Sequence, residues 1–202
     1  MKGLMMKSPF ASLVLMAAAA LMLGTHPAGA QAFETASTPL SLNLEAGFSA
    51  IHANAPPSGG CGCFYFYGFN GQVEVASAGH FSYVFDYNHG RAGNIGGKSL
   101  DHNIVLSTYT SGVRYNQHLK GLKVFGEALA GIAHTDSTYL LESNASNLGV
   151  LGGGGVDLPL GSRFDLRLAE VDFLYTRTPN GVNDHQNEIR YNAGVVYHFT
   201  KK

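Results

Sequence analysis

Two cysteines and a few histidines are the side chains of this sequence best suited to chemistry. Cys61-Gly62-Cys63 sets two thiols two residues apart. In an oxidising compartment such thiols pair, but a bridge this short is geometrically strained and would be labile or join another chain. As thiolates beside imidazole they would suit zinc or copper. His52, His89, His134 and His185 fall on or beside long connections, with His102 close by. Neither a His-x₃-His pair nor a second Cys-x-Cys accompanies them, so the histidines read as solvent-facing, and no metal and no cofactor are expected. A second grouping is His134 with Ser137 or Ser143 and an acid, Asp136 or Glu142. That is the base, nucleophile and acid an acyl-transferring site needs, but these residues have no fixed spacing and no acyltransferase or deacylase signature. The chain is read as non-enzymatic. Asn144-Ala145-Ser146 fits a glycosylation sequon by chance.

A larger constellation is charged. Glu45, Glu74, Asp86, Arg114, Glu127, Asp157, Arg167, Glu170, Asp172 and Arg190 all stand on the polar parity of alternating segments. Arg114 and Glu127 fall on neighbouring segments, as do Arg190 and the Glu170/Asp172 pair, and Arg167 can meet Asp157. Enclosed charges are tolerable only when paired and hydrogen-bonded. The bland reading is a polar core that fixes register, and the sharper one is a gated plug or an ion path. Acids outnumber bases in this set, and His198 could supply a further cation.

What must hold these residues is a set of alternating segments. In Glu188–Phe199, Ile189, Tyr191, Ala193, Val195, Tyr197 and Phe199 share one face, and Arg190, Asn192, Gly194, Val196 and His198 the other. Seven earlier segments repeat the pattern. The first starts near Leu40, with Leu42, Leu44, Ala46 and Phe48 outward and Asn43, Glu45 and Ser49 inward. The second sets Tyr65, Tyr67, Phe69, Val73 and Val75 against Gln72 and Glu74. The third alternates Phe81, Tyr83, Phe85 and Tyr87 with Ser82, Val84, Asp86 and Asn88. The fourth runs from about Asn103 to Tyr115, and the fifth sets Val124 to Ile132 against Phe125 to Ala133. The sixth contains Gly152 to Gly155, where a bend or close packing is expected. In the seventh, Phe164, Leu166 and Leu168 have the opposite parity to Val171, Phe173 and Tyr175, which predicts a β-bulge near Ala169-Glu170. No helical period persists, and charged residues are sparse at 13%.

Residues 1–30 read as a secretory signal peptide: Lys2 and Lys7, an apolar stretch from Phe10 to Leu23, and a small-residue site at Ala28-Gly29-Ala30. Its removal takes two lysines and no acid, so the remainder is mildly acidic and no nucleic-acid partner is expected. Residues 31–39 form a flexible N-terminal segment, 40–199 one barrel domain and 200–202 a C-terminal tail.

The connections alternate in length. His52 to Gly62, Gly90 to Lys98, His134 to Asn147 and Thr178 to Gln186 are long, while Ser77 to His80, Asn116 to Gly121 and Pro159 to Arg163 are short. A soluble barrel would be apolar inside, whereas here the outward faces are aromatic and aliphatic and the inward ones carry the charges. The fold class expected is therefore all-β, an eight-stranded antiparallel up-and-down transmembrane β-barrel, in the bacterial outer membrane behind an export signal.

The sequence resembles the eight-stranded outer-membrane β-barrel family, the OmpA/OmpX-like transmembrane domains in stand-alone form. The likeness rests on Gly126-Glu-Ala-Leu-Ala-Gly-Ile-Ala-His134, Gly152-Gly-Gly-Gly-Val-Asp157, Arg167-Leu-Ala-Glu-Val-Asp-Phe-Leu-Tyr-Thr-Arg177 and the closing Tyr191 to Phe199. It implies that the aromatic closing residues Tyr191, Tyr197 and Phe199 form a C-terminal signal read by the outer-membrane insertion machinery. It also implies contact with outer-membrane lipid and lipopolysaccharide. A monomer is expected. Eight strands enclose only packed side chains, which disfavours a diffusion pore. The function expected is structural, or surface interaction such as adhesion or ligand display through four extracellular loops. The alternatives are a narrow or transient channel and a lipid A-modifying enzyme.

Overall fold

The computed structural model describes residues 40–53, 63–76, 79–93, 103–137, 144–179 and 183–199. The segments expected as signal peptide (1–30), flexible segment (31–39) and tail (200–202) lie outside them. Eight strands follow one another in order: β1 Ser41–Ala53, β2 Phe64–Ala76, β3 Phe81–Ala92, β4 Ile104–Leu119, β5 Leu122–Ser137, β6 Asn144–Pro159, β7 Phe164–Thr176 and β8 Gln186–His198. Each pairs antiparallel with the next, and β8 pairs with β1, so the sheet is a closed barrel. Closure matters because a free edge would leave a row of backbone donors and acceptors unpaired in hydrocarbon.

The alternation read from the sequence is the alternation of burial. On β3, Phe81, Tyr83 and Phe85 are exposed while Ser82, Val84 and Asp86 are buried. β8 exposes Ile189, Tyr191, Ala193 and Val195 around buried Arg190, Asn192 and Val196. Large exposed apolar side chains thus encircle the molecule, from Leu44 and Phe48 on β1 to Phe164 and Phe173 on β7. In water such a surface would be prohibitive, whereas against lipid it costs nothing.

The register sets the geometry of the wall. Following paired residues from Leu42 through Val75, Tyr83, Val113, Ala128, Gly152, Phe173 and Ile189 returns to β1 at His52 rather than Leu42. One circuit therefore climbs ten residues, which tilts the strands by roughly 35–45° and closes the barrel around its own side chains. The register breaks in β7. Arg167 pairs with Asp157 and Gly194, but Ala169 pairs with Val156 and Glu170 with Asn192. Leu168 and Ala169 are both exposed, so they form the β-bulge that the change of parity predicts.

Strand lengths differ from expectation. β1 continues to Ala53, β3 to Ala92 and β5 to Ser137, and β6 already starts at Asn144. His52, Gly90 and most of His134 to Asn147 are thus strand residues rather than loop. The reason is physical: at this end the outward side chains turn polar while the backbone ladder continues, so hydrophobic alternation stops before the strand does. Asn116 to Leu119 likewise belong to β4, and the turn to β5 is Lys120-Gly121 alone, with Gly121 at φ +79°. That left-handed conformation is one that glycine adopts without a Cβ clash.

Candidate functional site

Inside the barrel, every residue of the charged set is buried. Three guanidinium groups organise it. Arg114 on β4 donates through Nε to Glu127 Oε2 on β5 at 2.7 Å, with a second bond from Nη2 to the same oxygen. Arg167 on β7 makes a two-pronged pair with Asp157 on β6, at 2.9 and 3.3 Å, and reaches Glu170 Oε2 at 2.6 Å. Arg190 on β8 bonds Asp172 Oδ2 at 3.0 Å, Glu170 Oε1 at 3.2 Å and Asp86 Oδ1, across the barrel, at 2.7 Å. Ion pairs held this way offset the desolvation of charges that would otherwise be excluded from the interior.

Two uncharged side chains tie the arginines together. Gln72 accepts from Arg114 at 2.5 Å and Arg167 at 2.7 Å through Oε1, and its Nε2 donates to Asp86 at 3.0 Å and Glu170 at 3.1 Å. The Phe125 ring lies between the same two arginines, 4.1 Å from Arg114 Cζ and 4.4 Å from Arg167 Cζ. A desolvated guanidinium over a ring gains electrostatically from its negative face.

Glu74 accepts from Asn43, Ser82 and Asn116, with Lys123 Nζ 3.5 Å away and equally near Asp157. Glu45 accepts from Asn70 Nδ2 at 2.8 Å. His198 bridges Asn43 Oδ1 at 2.8 Å and Asp165 Oδ2 at 2.9 Å. Glu127, Glu170 and Asp172 bring carboxylate oxygens within 4.8 Å of one another, but the positive charge beside them is supplied by Arg114, Arg167 and Arg190.

The sequence reading did not include Lys123, Asp165 or Glu188, which are also buried. Lys123 has the parity of Phe125 and Glu127, so extending the β5 alternation by one step would have found it. Glu188 is different. It sits at the loop end with the apolar group of Ile51, Ala53, Phe66, Ala92, Ile104, Leu106, Leu151 and Leu174. This layer was not anticipated either. The interior holds the charge network in its turn-side half and this apolar layer, interspersed with buried Thr135, Ser137, Thr176 and Glu188, towards the long connections.

On the outer wall, His52, His89 and His134 stand on β1, β3 and β5, and His52 and His89 pack on the rings of Tyr65 and Phe69. They do not converge on Cys63, which is disulfide-bonded and so offers no thiolate; Cys61 and His102 lie outside the described residues. Ser137 is buried inside the barrel, on the opposite face from His134. The candidate His134–Ser137 grouping, set aside in the sequence for want of a signature, is also separated by strand parity, and Ser143 and Glu142 lie outside the described residues. His134 instead meets Ser146 Oγ at 2.9 Å. Beyond the strands, His185 Nδ1 lies 2.8 Å from Asp184 and holds that carboxyl below its usual range. At the turn end Tyr197 packs on Phe164 and Phe199, and its hydroxyl accepts from Arg163 at 2.9 Å. Tyr191 is exposed higher on the same face of β8.

Among solved structures, Neisserial surface protein A is similar to this chain at 19% identity and a TM-score of 0.58, over 80% of this chain and 99% of that one. The chain has the eight-stranded outer-membrane β-barrel fold. The attachment invasion locus protein Ail of Yersinia pestis is also similar. In complex with the heparin analogue sucrose octasulfate it gives 13% identity and a TM-score of 0.55 over 79% of this chain and 99% of that one. A second structure of Ail gives 16%, 0.51, 79% and 98%. At these identities the likeness is one of fold. No protein-family model matches the chain, and neither does any curated protein sequence.

Proposed function

We propose that this barrel is a non-enzymatic surface protein of the outer membrane, which presents its four long connections outside the cell as a binding or adhesive surface. The carrying observation is how the interior is filled. Arg114, Arg167 and Arg190 cross-link its polar half, and Ile51, Phe66, Leu106, Leu151 and Leu174 occupy the half beneath the long connections. A lumen packed in this way supports a scaffold over a channel, since solute would have to displace both a paired charge network and an apolar layer.

Charge also bears on what the loops bind. Ail is seen with a sulfated heparin analogue. In the present chain the residues between strands at the long-connection end carry Lys98 and Arg177 against Asp101, Glu142 and Asp184. That balance lacks the cationic excess a polyanion needs. The proposed loop ligand is therefore a neutral surface, protein or glycan.

Planar-bilayer recording of the purified barrel tests the scaffold reading, with no resolvable unitary conductance expected. Steady ohmic channels from folded protein would replace it with the channel alternative. Insertion through the aromatic closing residues Tyr191, Tyr197 and Phe199, and a monomeric state, are part of the same proposal.

A further inference from the structure

The inside of the barrel holds more negative than positive charge. Glu45, Glu74, Asp86, Glu127, Asp157, Asp165, Glu170, Asp172 and Glu188 are buried with Arg114, Lys123, Arg167, Arg190 and His198. Carboxylates therefore outnumber cations even with His198 protonated. The shortfall is plainest at Glu45. It is the one carboxylate of β1 and makes no ion pair among the described residues; Arg167, whose field reaches it, bonds Asp157 and Glu170 instead. Glu45 Oε2 accepts from Asn70 Nδ2 at 2.8 Å, while Oε1 is buried without a hydrogen-bond partner.

Other oxygens in the same state surround it. Oε1 occupies space that Gly47 on β1 and its cross-strand partner Gly194 on β8 leave by lacking side chains. A Cβ built on them would stand 2.8 and 2.7 Å from it. Gly47 also pairs with Asn70, and Asn70 with Asn88 on β3. Asn88 Nδ2 donates to Ser49 Oγ at 2.6 Å, and Ser49 pairs with Asn192 on β8. Asn192 Nδ2 donates to Glu170 Oε1 at 2.6 Å. Carboxylates accept only, so they fix which way the Asn70 and Asn192 amides point. The Oδ1 atoms of Asn70, Asn88 and Asn192 are left buried and unpartnered, like Glu45 Oε1.

We propose that Glu45 Oε1 and the Oδ1 atoms of Asn70, Asn88 and Asn192 hold a calcium ion, which ties β1 to β2, β3 and β8. A carboxylate with amide oxygens is a hard donor set, suited to calcium, magnesium or sodium rather than zinc or copper. A divalent ion offsets more of the acid surplus than sodium does. Magnesium demands a near-ideal octahedron and keeps several waters, whereas calcium accepts irregular sets of oxygens. A water molecule would donate to two of these oxygens and leave Glu45 without a counter-charge. Calcium gives β1 a charge contact with β8, which the arginine network does not supply.

Elemental analysis of barrel refolded from urea in detergent tests it. The site is enclosed, so wild type refolded with calcium should keep an equimolar amount through gel filtration in chelator. Glu45→Gln, which still offers an oxygen to the Asn70 amide, should keep about tenfold less or lower still. Asn88→Ala is the second variant should the first not fold, and unheated gel mobility shows which are folded. With choline chloride as background salt, calcium should raise the urea midpoint of wild type above its value in chelator. The midpoint of Glu45→Gln should be the same in both. Folded wild type without calcium would mean that water or a proton on Glu45 balances the site, and would overturn the proposal. Equal calcium in the folded variants, or a midpoint raised as far by magnesium or sodium, would overturn it too.

Discussion

Arg167 and Glu170 are three residues apart on one strand, yet both point into the barrel and meet at 2.6 Å. On a regular strand that spacing sends two side chains to opposite faces. The Leu168–Ala169 bulge removes the conflict by adding one outward residue between them. It thereby lets a single strand supply Arg167 to Asp157 and Glu170 to Arg190.

Deleting Leu168 and Ala169 together should consequently be disruptive, while deleting Ala169 alone should be tolerated. The double deletion makes Arg167 and Glu170 adjacent, so one half of β7 would present its apolar residues inward and its charges to lipid, whereas the single deletion leaves Leu168 as the one outward residue between them. The double-deletion variant should lose the faster gel migration of the unheated, folded barrel, and the single-deletion variant should keep it. A double-deletion variant that still migrates as a folded barrel would contradict this placement of the bulge.

Arg190→Leu should destabilise the folded protein by about 3–5 kcal/mol, because it strands Asp86, Asp172 and Glu170 without their shared cation. Asp184→Asn, at an exposed position beyond the strands, should leave stability nearly unchanged. Urea midpoints of the two variants in the same detergent make the comparison, and equal midpoints would contradict a network centred on Arg190.

Neighbouring glycines in β6 should respond oppositely to a methyl group. A Cβ at Gly153 would overlap the Asp172 carboxylate and the Val171 carbonyl, whereas at Gly152 the nearest atom is 3.9 Å away. Gly153→Ala should therefore cost about 1–3 kcal/mol by overpacking and Gly152→Ala less than that. Thermal or urea unfolding reads the difference, and the reverse order would mean that β6 faces the other way.

The purified protein should give a strand-type circular dichroism spectrum in detergent. Tags in the four long connections should be reached by antibody on intact cells, and a tag at Lys120-Gly121 should not. Labelling at Lys120 would invert the orientation.

The parity of the eight strands, and with it the inward position of each of the ten charges, was legible in the sequence because a lipid-facing wall enforces a period of two, and the β7 bulge that breaks the period shows as a change of parity. Strand ends were not legible. At His52, His89 and His134 the outward residue is polar where the wall leaves hydrocarbon, and local sequence cannot tell a projecting strand from a loop. The hub role of Gln72 was also hidden: Asp86 is its direct cross-strand neighbour on β3, but Arg114, Arg167 and Glu170 come from β4 and β7, and the ten-residue climb of the register brings them to its level. His134 and Ser137 look adjacent in sequence and are separated by the thickness of the wall.

The seam between β1 and β8 has a consequence for assembly. The Phe199 amide donates to the Leu42 carbonyl at 3.1 Å, joining the two extremes of the wall. Until β8 is in place, the seven preceding strands expose two unpaired edges, and Asp86, Glu170 and Asp172 lack Arg190. Backbone and charge are thus satisfied by the same late strand. A chain arrested before it is a poor guest for hydrocarbon on both counts. Contacts that span nearly the whole sequence also make such closure slow. Whatever chaperone or catalyst delivers this chain to its membrane must therefore guard an open sheet until its final thirteen-residue strand arrives.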